Sequence, residues 1–532
     1  MLEEFDIIIV GGGSAGSAIA GRLSEDPGLR ICLIEAGGTN RDLRVTTPGL
    51  MPFSPASSNW AFETVPQPGL GGRRGYQPRG RGLGGSSAIN AMLYIRGNAW
   101  DYDNWAAMGC AGWSWSDVLP WFRRAENNER GADELHGGDG PLSVSDQHWV
   151  NPLSHAFVAA ATELQLPEND DFNGPRQDGV GIYQVTQKGG ERWTAARAYV
   201  DPVRGRPNLA IRTECLVERI VIENGRAVGV AIRRGGERKT IHARAGVVLS
   251  AGAFGSPQLL MLSGIGPAAH LREHGIEVAL DRPSVGANLQ DHIDYVAGFD
   301  TPNDRTGFGR SLAGTWAMAL AMLQHRRNRT GAMTTPYAEA GGFDRTRPDL
   351  PAPDIQYHFV PAVLVDHGRE KVKGHGFSLH VCVLRPKSRG TVTLASADPA
   401  APPAIDPAFL SDEDDLIVLR EGTRRAHRII AGAPFRRYGP VDRTPVDLTD
   451  DAALDALIRA RADTVYHPVG TCRMGGDADA VVDPTLALNG VEGLWVADAS
   501  VMPQIVSGNT NAPSIMIGER AADFVKAELR AR

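Results

Sequence analysis

Hydrophobic positions at the start of the chain come in short unbroken runs. Ile7, Ile8, Ile9 and Val10 form one run, a helical spacing follows over residues 17–23, and Ile31, Cys32, Leu33 and Ile34 form a second. Unbroken, β-branched runs of this length suit strands covered on both faces, so the opening is predicted as strand, helix, strand, with the strands parallel. Further on, residues 208–249 read as a β-meander starting at Leu209, with a hairpin turn at Asn224-Gly225. Residues 245–252 form another buried strand meeting glycine, expected to return to the first sheet. Near the C-terminus, residues 493–500 predict a buried strand and 514–526 a helix.

The stretches between these elements are less periodic. Residues 37–90 are rich in Gly, Pro and Arg and read as one extended segment. Its small residues from Gly80 to Asn90 imply backbone packed against a flat ligand or another strand. Residues 316–323 are apolar and run into Gln324-His325-Arg326-Arg327. That length suits a buried or lid helix, with peripheral membrane contact as the alternative, and falls short of the roughly 20 residues a bilayer span needs. The whole reads as an α/β chain with a discontinuous nucleotide-binding domain (1–100, 205–290 and 475–532). A substrate domain and cap (101–204 and 291–474) are inserted into it.

The first turn carries chemistry. Gly11-Gly12-Gly13-Ser14-Ala15-Gly16 follows the first strand and opens the helix, and the second strand ends at Glu35. This is G-x-G-x-x-G in the context that binds a dinucleotide. Gly11 permits the turn, Gly13 admits a pyrophosphate, and Gly16 allows close helix packing. The helix N-terminus offers N–H groups to phosphate, and Glu35 is placed to accept from an adenosine ribose. A similar run at Gly264-Ile265-Gly266-Pro267-Ala268-Ala269 follows a helical stretch instead of a strand, and reads as a helix stop. One nucleotide site is expected.

Composition removes other classes. A chain of 532 residues exceeds what one core usually serves. Its formal net charge of -7, mixed in sign along the chain, gives no footprint for nucleic acid. Five cysteines, far apart in sequence, suit neither a disulfide framework nor a metal site, and fit a reducing cytoplasm. The first strand begins so early that no signal peptide is expected.

His467 sits in Val465-Tyr466-His467-Pro468, an irregular turn that can hold a side chain rigidly, and Asn511 lies on a later loop entering a helix. Together with the glycine turn and Glu35, these stretches resemble the glucose–methanol–choline (GMC) oxidoreductases over essentially the whole chain. The resemblance also rests on residues 82–90, 256–266, 288–292 and 509–513, and on Asp498.

That resemblance implies a Rossmann-like FAD-binding domain and an inserted α+β substrate-binding domain built on an antiparallel sheet. It implies FAD near Gly11, Gly13, Ser14, Ala15 and Gly16, with Glu35 on the ribose and Ala36, Trp60 and Val217 along the adenosine half. Gly82, Gly85, Asn90, Ala91 and Met92 would run beside the isoalloxazine, and Ala251 would also contact the cofactor. Asp498 and Ala499 would reach the ribityl–phosphate part, and Asn509 and Thr510 would close the site. His467 falls on the family's active-site histidine and Asn511 on its partner position, with Val465 and Tyr466 lining the substrate pocket. Hydride transfer from an alcohol to flavin N5 needs the hydroxyl proton removed, a role for His467 as general base, while Asn511 hydrogen-bonds the oxygen.

Ile89 occupies the position where some members attach FAD through histidine, so noncovalent FAD is expected. His292 reads as a turn-stabilising residue and Cys472 as structural. A primary aliphatic or aryl alcohol is favoured by the Ala and Met content of residues 318–333. Choline is the alternative, with Trp316, Tyr337 and Glu339 as candidates for its ammonium. A cyanohydrin lyase retaining flavin is a distant third. Oxygen or another acceptor would take the electrons.

Overall fold

The computed structural model describes residues 3–531. The Glu4–Val10 strand lies at the centre of a parallel array, between Ile31–Ile34 on one side and Glu237–Leu249 on the other. The Leu494–Val496 strand extends the array in parallel beyond Glu237–Leu249. The Ser14–Leu23 helix covers one face, packed against the long C-terminal helix Asn511–Ala531. This parallel, helix-covered arrangement is what the unbroken apolar runs predict.

The meander begins later than its pattern suggested. Leu209–Arg212 does not pair with the hairpin; it joins the parallel sheet beside Ile31–Ile34, residue for residue. The hairpin proper is Leu216–Glu223 with Arg226–Arg234, closing at the Glu223–Arg226 pair. Asn224 (φ 50°) and Gly225 (φ 76°) both adopt the left-handed backbone that such a two-residue turn requires. The long Glu237–Leu249 strand joins the two regions: its first half pairs antiparallel with Arg226–Arg234 and its second half parallel with Leu494–Val496.

A second sheet of eight strands is antiparallel. Its central order is Val441–Asp442, Ile293–Asp300, Gly374–Val383, Ile355–Val360, Ala340–Asp344, Gly179–Ile182. Strand alternation gives its two faces different work. Tyr295, Phe299, Tyr357, Phe359, Phe377 and Leu379 point into a core completed by Phe157 and Phe435. The intervening positions Asp294, Val296, His358, Val360 and His380 line a cavity between this sheet and the parallel one.

One expectation fails here and another is narrowed. Tyr102, Trp105, Trp113 and Phe122, read as part of the substrate half, share the core of the parallel sheet. The Trp115–Ala125 helix that carries Phe122 packs on Asn511–Ala531, covering the outside of the nucleotide half. The apolar stretch at 316–323 does form a helix, Leu312–Asn328, but it is not buried: within it only His325 is. Among the described residues no helix is long and apolar enough to cross a membrane.

Candidate active site

The glycine turn is built by close approach. A Cβ on Gly11, held at φ 100°, would stand 2.4 Å from Ser250 O, and one on Gly16 would stand 1.9 Å from Gly11 O. Gly84 N–H donates to Gly12 O at 2.7 Å, and a Cβ on Gly85 would meet Gly13 Cα at 2.7 Å. The small residues of the extended segment are therefore explained by backbone stacking on the first turn. Among the described residues no side chain caps the Ser14–Leu23 helix, whose N-cap is Gly13. Its first turn is left to receive an anion from the cavity.

Glu35 has a larger structural part than its ribose assignment suggested. Its Oε2 accepts from Gly12 N–H at 2.8 Å, and its Oε1 from Gly37 and Gly82 N–H, both at 2.9 Å. The carboxylate thus staples the first turn to the extended segment. Asp498 acts similarly, accepting from Gly252 N–H (2.8 Å), Ser256 Oγ (2.5 Å) and Ser500 N–H (2.8 Å). It ties the end of one parallel strand to the Gly252–Leu262 helix.

One cavity of about 1110 Å³ gathers nearly all the residues singled out from the sequence. Gly11, Gly13, Ser14, Ala15, Glu35, Ala36, Trp60 and Val217 line it. Gly85, Asn90, Ala91, Met92, Ala251, Asp498, Ala499 and Thr510 line it too, with Ile89 among them. Val465, Tyr466, His467, Asn509 and Asn511 also face it. Gly16 and Gly82 are the exceptions: they serve packing and the Glu35 staple. Buried Arg192 fixes this wall by donating to Asn90 O (2.6 Å), Asn90 Oδ1 (2.9 Å) and Ser87 O (3.2 Å). Its burial pushes its pKa down to about 9.

His467 is held from its backbone outward. Tyr466 before it sits at φ 76°, a conformation costly for a bulky residue. It is sustained by Tyr466 N–H donating to Thr464 Oγ1 (2.6 Å), Arg79 Nη2 donating to Tyr466 O (3.0 Å), and the Tyr466 hydroxyl meeting His367 Nδ1 (2.6 Å). His467 N–H donates to Asp291 Oδ1 at 2.8 Å, and Thr464 Oγ1 donates to Asp291 Oδ2 at 2.6 Å. Burial raises the Asp291 pKa to about 6, against the opposing influence of its hydrogen bond from Thr464 and the charge of Arg79.

The imidazole tautomers follow from the network. Leu384 O, 3.1 Å from His292 Nε2, can only accept, so His292 carries its proton on Nε2. His292 Nδ1 is then an acceptor, and His467 Nδ1, 3.0 Å away, must donate to it. That leaves Nε2 of His467 unprotonated, an acceptor. Asn509 Nδ2 lies 3.1 Å from this nitrogen, and Asn509 Oδ1 accepts from Gln356 Nε2 at 3.3 Å. Burial above all, then the neighbouring imidazoles of His292 and His358 and the charge of Arg79, hold His467 well below the usual imidazole range. Burial likewise pushes His292 down to about 3. Both rings are neutral at ordinary pH.

Here the sequence reading needs correction. The amide hydrogen-bonded to His467 is that of Asn509, where the sequence reading put Asn511. Asn511 is the first residue of the Asn511–Ala531 helix, and its Oδ1 accepts from Ser14 Oγ at 2.7 Å, on the opposite helix. Gly508 at φ 145° sets the preceding backbone, so that Asn509 reaches the histidine. His292 is likewise more than a turn residue, since it fixes the His467 tautomer.

Three cavity groups were missed altogether. His358, close to the Asn509 side chain, stands opposite His380 in the sheet register. His380 Nδ1 lies 2.7 Å from Asp294 Oδ2. Polar residues at alternating positions of otherwise apolar strands were the signal that could have found them. The proposed ammonium cage does not assemble. Trp316 is solvent-exposed, Tyr337 reaches the cavity but donates its hydroxyl to Gly49 O (2.9 Å), and Glu339 accepts from Asn151, Ser154 and Thr335. The Ala and Met of the Leu312–Asn328 helix do not line the cavity either.

A glycine turn feeding an uncapped helix, continuous with a chamber holding a neutral histidine, defines a nucleotide-cofactor oxidoreductase. The chain belongs to the GMC oxidoreductases, whose N-terminal model matches residues 5–294 and whose C-terminal model matches 386–518. It is 45% identical to an alcohol dehydrogenase [acceptor] of Pseudomonas putida, over 98% of this chain and 95% of that protein. It is 42% identical to an oxygen-dependent choline dehydrogenase of Rhizobium rhizogenes, over 99% and 96%. Among solved structures it resembles a pyridoxine 4-oxidase from Mesorbium loti (32% identity, TM-score 0.87, 98% of both chains). It also resembles a formate oxidase of Aspergillus oryzae studied for FAD modification (29% identity, TM-score 0.91, 100% and 99%). The protein is an FAD-dependent oxidoreductase acting on alcohols.

Proposed function

We propose that the enzyme oxidises a primary aliphatic or aryl alcohol to the aldehyde, with His467 as general base and Asn509 holding the hydroxyl oxygen. The observation that carries this reading is the pair of groups at the chamber: the unprotonated Nε2 of His467 and the Asn509 amide N–H, hydrogen-bonded to one another at 3.1 Å where a substrate hydroxyl can take the place of that bond. An acceptor next to a donor is the complement of one hydroxyl, which must give a proton and receive a hydrogen bond. His467 Nε2 takes the proton as the C–H bond breaks. Asn509 Nδ2–H stabilises the oxygen while it bears negative charge. The relay through His292 to Leu384 O keeps the receiving lone pair on the correct nitrogen. Asp291, against the His467 backbone, offsets the positive charge that the ring acquires.

The glycine cradle, the uncapped helix and the volume of the cavity fit FAD, held noncovalently since Ile89 has no nucleophile. Its bound flavin supplies the hydride acceptor. Apolar Met92, Leu93, Val360, Leu364 and Val465, clustered on the wall of the same cavity, suit an uncharged substrate chain. A second reading, choline, is favoured by one observation: Asp294 places a carboxylate in the cavity wall with Oδ1 unpartnered among the described residues. The five cysteines are all free and buried, which supports work in a reducing cytoplasm.

The test is anaerobic mixing of the holoenzyme with benzyl alcohol, a medium-chain primary alkanol and choline, following loss of flavin absorbance. Fast bleaching by the neutral alcohols supports the proposal, and bleaching by choline alone replaces it with the second reading. No bleaching by any alcohol, together with cleavage of a cyanohydrin, would assign a lyase instead. Repeating turnover in air and with an artificial dye identifies the class of acceptor.

A further inference from the structure

We infer that the Leu312–Asn328 helix docks this enzyme on an anionic lipid surface. Within the helix, Leu312 is 87% exposed, Trp316 72%, Leu320 64% and Leu323 65%. Their spacing of four, four and three residues places them on one stripe of the helix. Ala313, Ala317 and Ala319 are exposed beside them. A soluble domain rarely leaves large apolar side chains grouped in this way without a partner. The last turn of the helix is held by His325, buried, whose Nε2 meets Gly190 O at 2.9 Å. At the other end the N-cap Ser311 Oγ meets His375 Nε2 at 2.8 Å, so the helix is anchored at both ends with the stripe facing outward.

Charge selects the partner. Residues 305–338 contain Arg305, Arg310, Arg326, Arg327 and Arg329 and no Asp or Glu, in a chain of formal net charge -7. All five arginines are exposed, and among the described residues only Arg329 has a carboxylate partner, Glu191 at 3.2 Å. An exposed apolar stripe with arginines before the helix, in its last turn and just after it is the pattern of a helix lying in a lipid interface: side chains enter the acyl boundary while cations meet headgroup phosphates. Trp316, in the middle of the stripe, has the amphipathic ring that favours this depth. A second copy of the chain would bring the same positive segment against itself, which disfavours a self-paired interface.

The face is continuous with one wall of the cavity. The Ala332–Thr334 turn after the helix packs on the Pro48–Phe53 turn, where a Cβ on Gly49 would meet Met333 at 3.0 Å. Met51 and Pro52 of that turn line the cavity, and Phe53 beside them is solvent-exposed. Docking through the helix would set this side of the chamber at the lipid surface.

The test is co-sedimentation of the FAD-loaded enzyme with vesicles of phosphatidylcholine alone or mixed equally with phosphatidylglycerol. Binding to the mixed vesicles, a blue shift of tryptophan emission and release by salt are expected. Trp316→Ser with Leu320→Ser should abolish binding and the blue shift while leaving flavin content and turnover of a water-soluble alcohol unchanged. Arg326→Gln with Arg327→Gln should weaken binding by about tenfold or more. Failure of the wild type to pellet with mixed vesicles at low salt overturns the inference, as does equal pelleting by the Trp316 and Leu320 variant. A wild-type dimer that the same variant converts to monomer, without vesicle binding, would assign the face to a second copy.

Discussion

Nδ1 of His292 and Nδ1 of His467 face one another at 3.0 Å with the two rings at 87°, and only one of them can carry the proton. Because Leu384 O claims the other proton of His292, the shared one belongs to His467. A residue remote from the substrate thereby decides which nitrogen of the base is free. His292→Leu removes the acceptor and leaves the His467 tautomer unassigned, so flavin reduction should slow by about tenfold or more without loss of FAD. His292→Asn can supply an amide oxygen and should recover much of that rate. Stopped-flow reduction of both variants checks this; equal rates would reduce His292 to a packing role.

His467→Ala should fold and keep its flavin, since no staple of the glycine turn passes through this side chain. Its reductive half-reaction should fall by about 10²–10⁴-fold, the usual worth of a positioned base. A variant reducing its flavin at the wild-type rate would remove the proposed mechanism.

Asn509 and Asn511 are separable by experiment. Asn509→Ala should lower flavin reduction by about 10–10³-fold, and its effect should be less than multiplicative with His467→Ala because both act on one oxygen. Asn511→Ala breaks only the hydrogen bond to Ser14 and should leave the reduction rate within a few-fold. The opposite ranking would restore the pairing first read from the sequence.

The acid limb of flavin reduction should belong to Asp291. His467 and His292 are already neutral near pH 6, so neither ionises there. Asp291, raised to about 6, is charged above that pH and protonated below it. As pH falls through about 6, the negative charge beside the His467 backbone is lost and the base weakens. The rate should fall on the acid side and be level above it. Asp291→Asn should abolish the limb and lower the plateau; a limb that persists unmoved at the same pH would point to another group.

FAD should leave with the supernatant on acid precipitation, because Ile89 has no attachment chemistry. Glu35→Ala should weaken FAD retention and also lower thermal stability, since three backbone donors lose their acceptor at once. Each hydrogen bond to a charged group is worth about 1.5–3 kcal/mol. A variant with weakened FAD but an unchanged melting temperature would show that the staple carries no load.

What the chain determined by itself is what rests on neighbours in sequence. Unbroken apolar runs at residues 7–10 and 31–34, the glycines at 11 and 16, and Asn224-Gly225 each fix their backbone through local sterics, and each was legible. The turn around His467 was legible for the same reason. What only the tertiary structure decided rests on register between distant segments. Leu209–Arg212 could pair with the hairpin or with Ile31–Ile34, and nothing in its own composition chooses. Asn509 and Asn511 differ by two positions, yet the fold of Gly508 and the start of the last helix send one to His467 and the other to Ser14. Asp294, His358 and His380 come from three strands and meet only because antiparallel pairing brings their alternate positions to one face. The apolar stretch at 316–323 has a composition that fits a core, and its place outside depends on what packs beneath it. Local patterns specify elements; which faces meet is set by packing across the whole chain, where a one-residue change of register reverses every side chain.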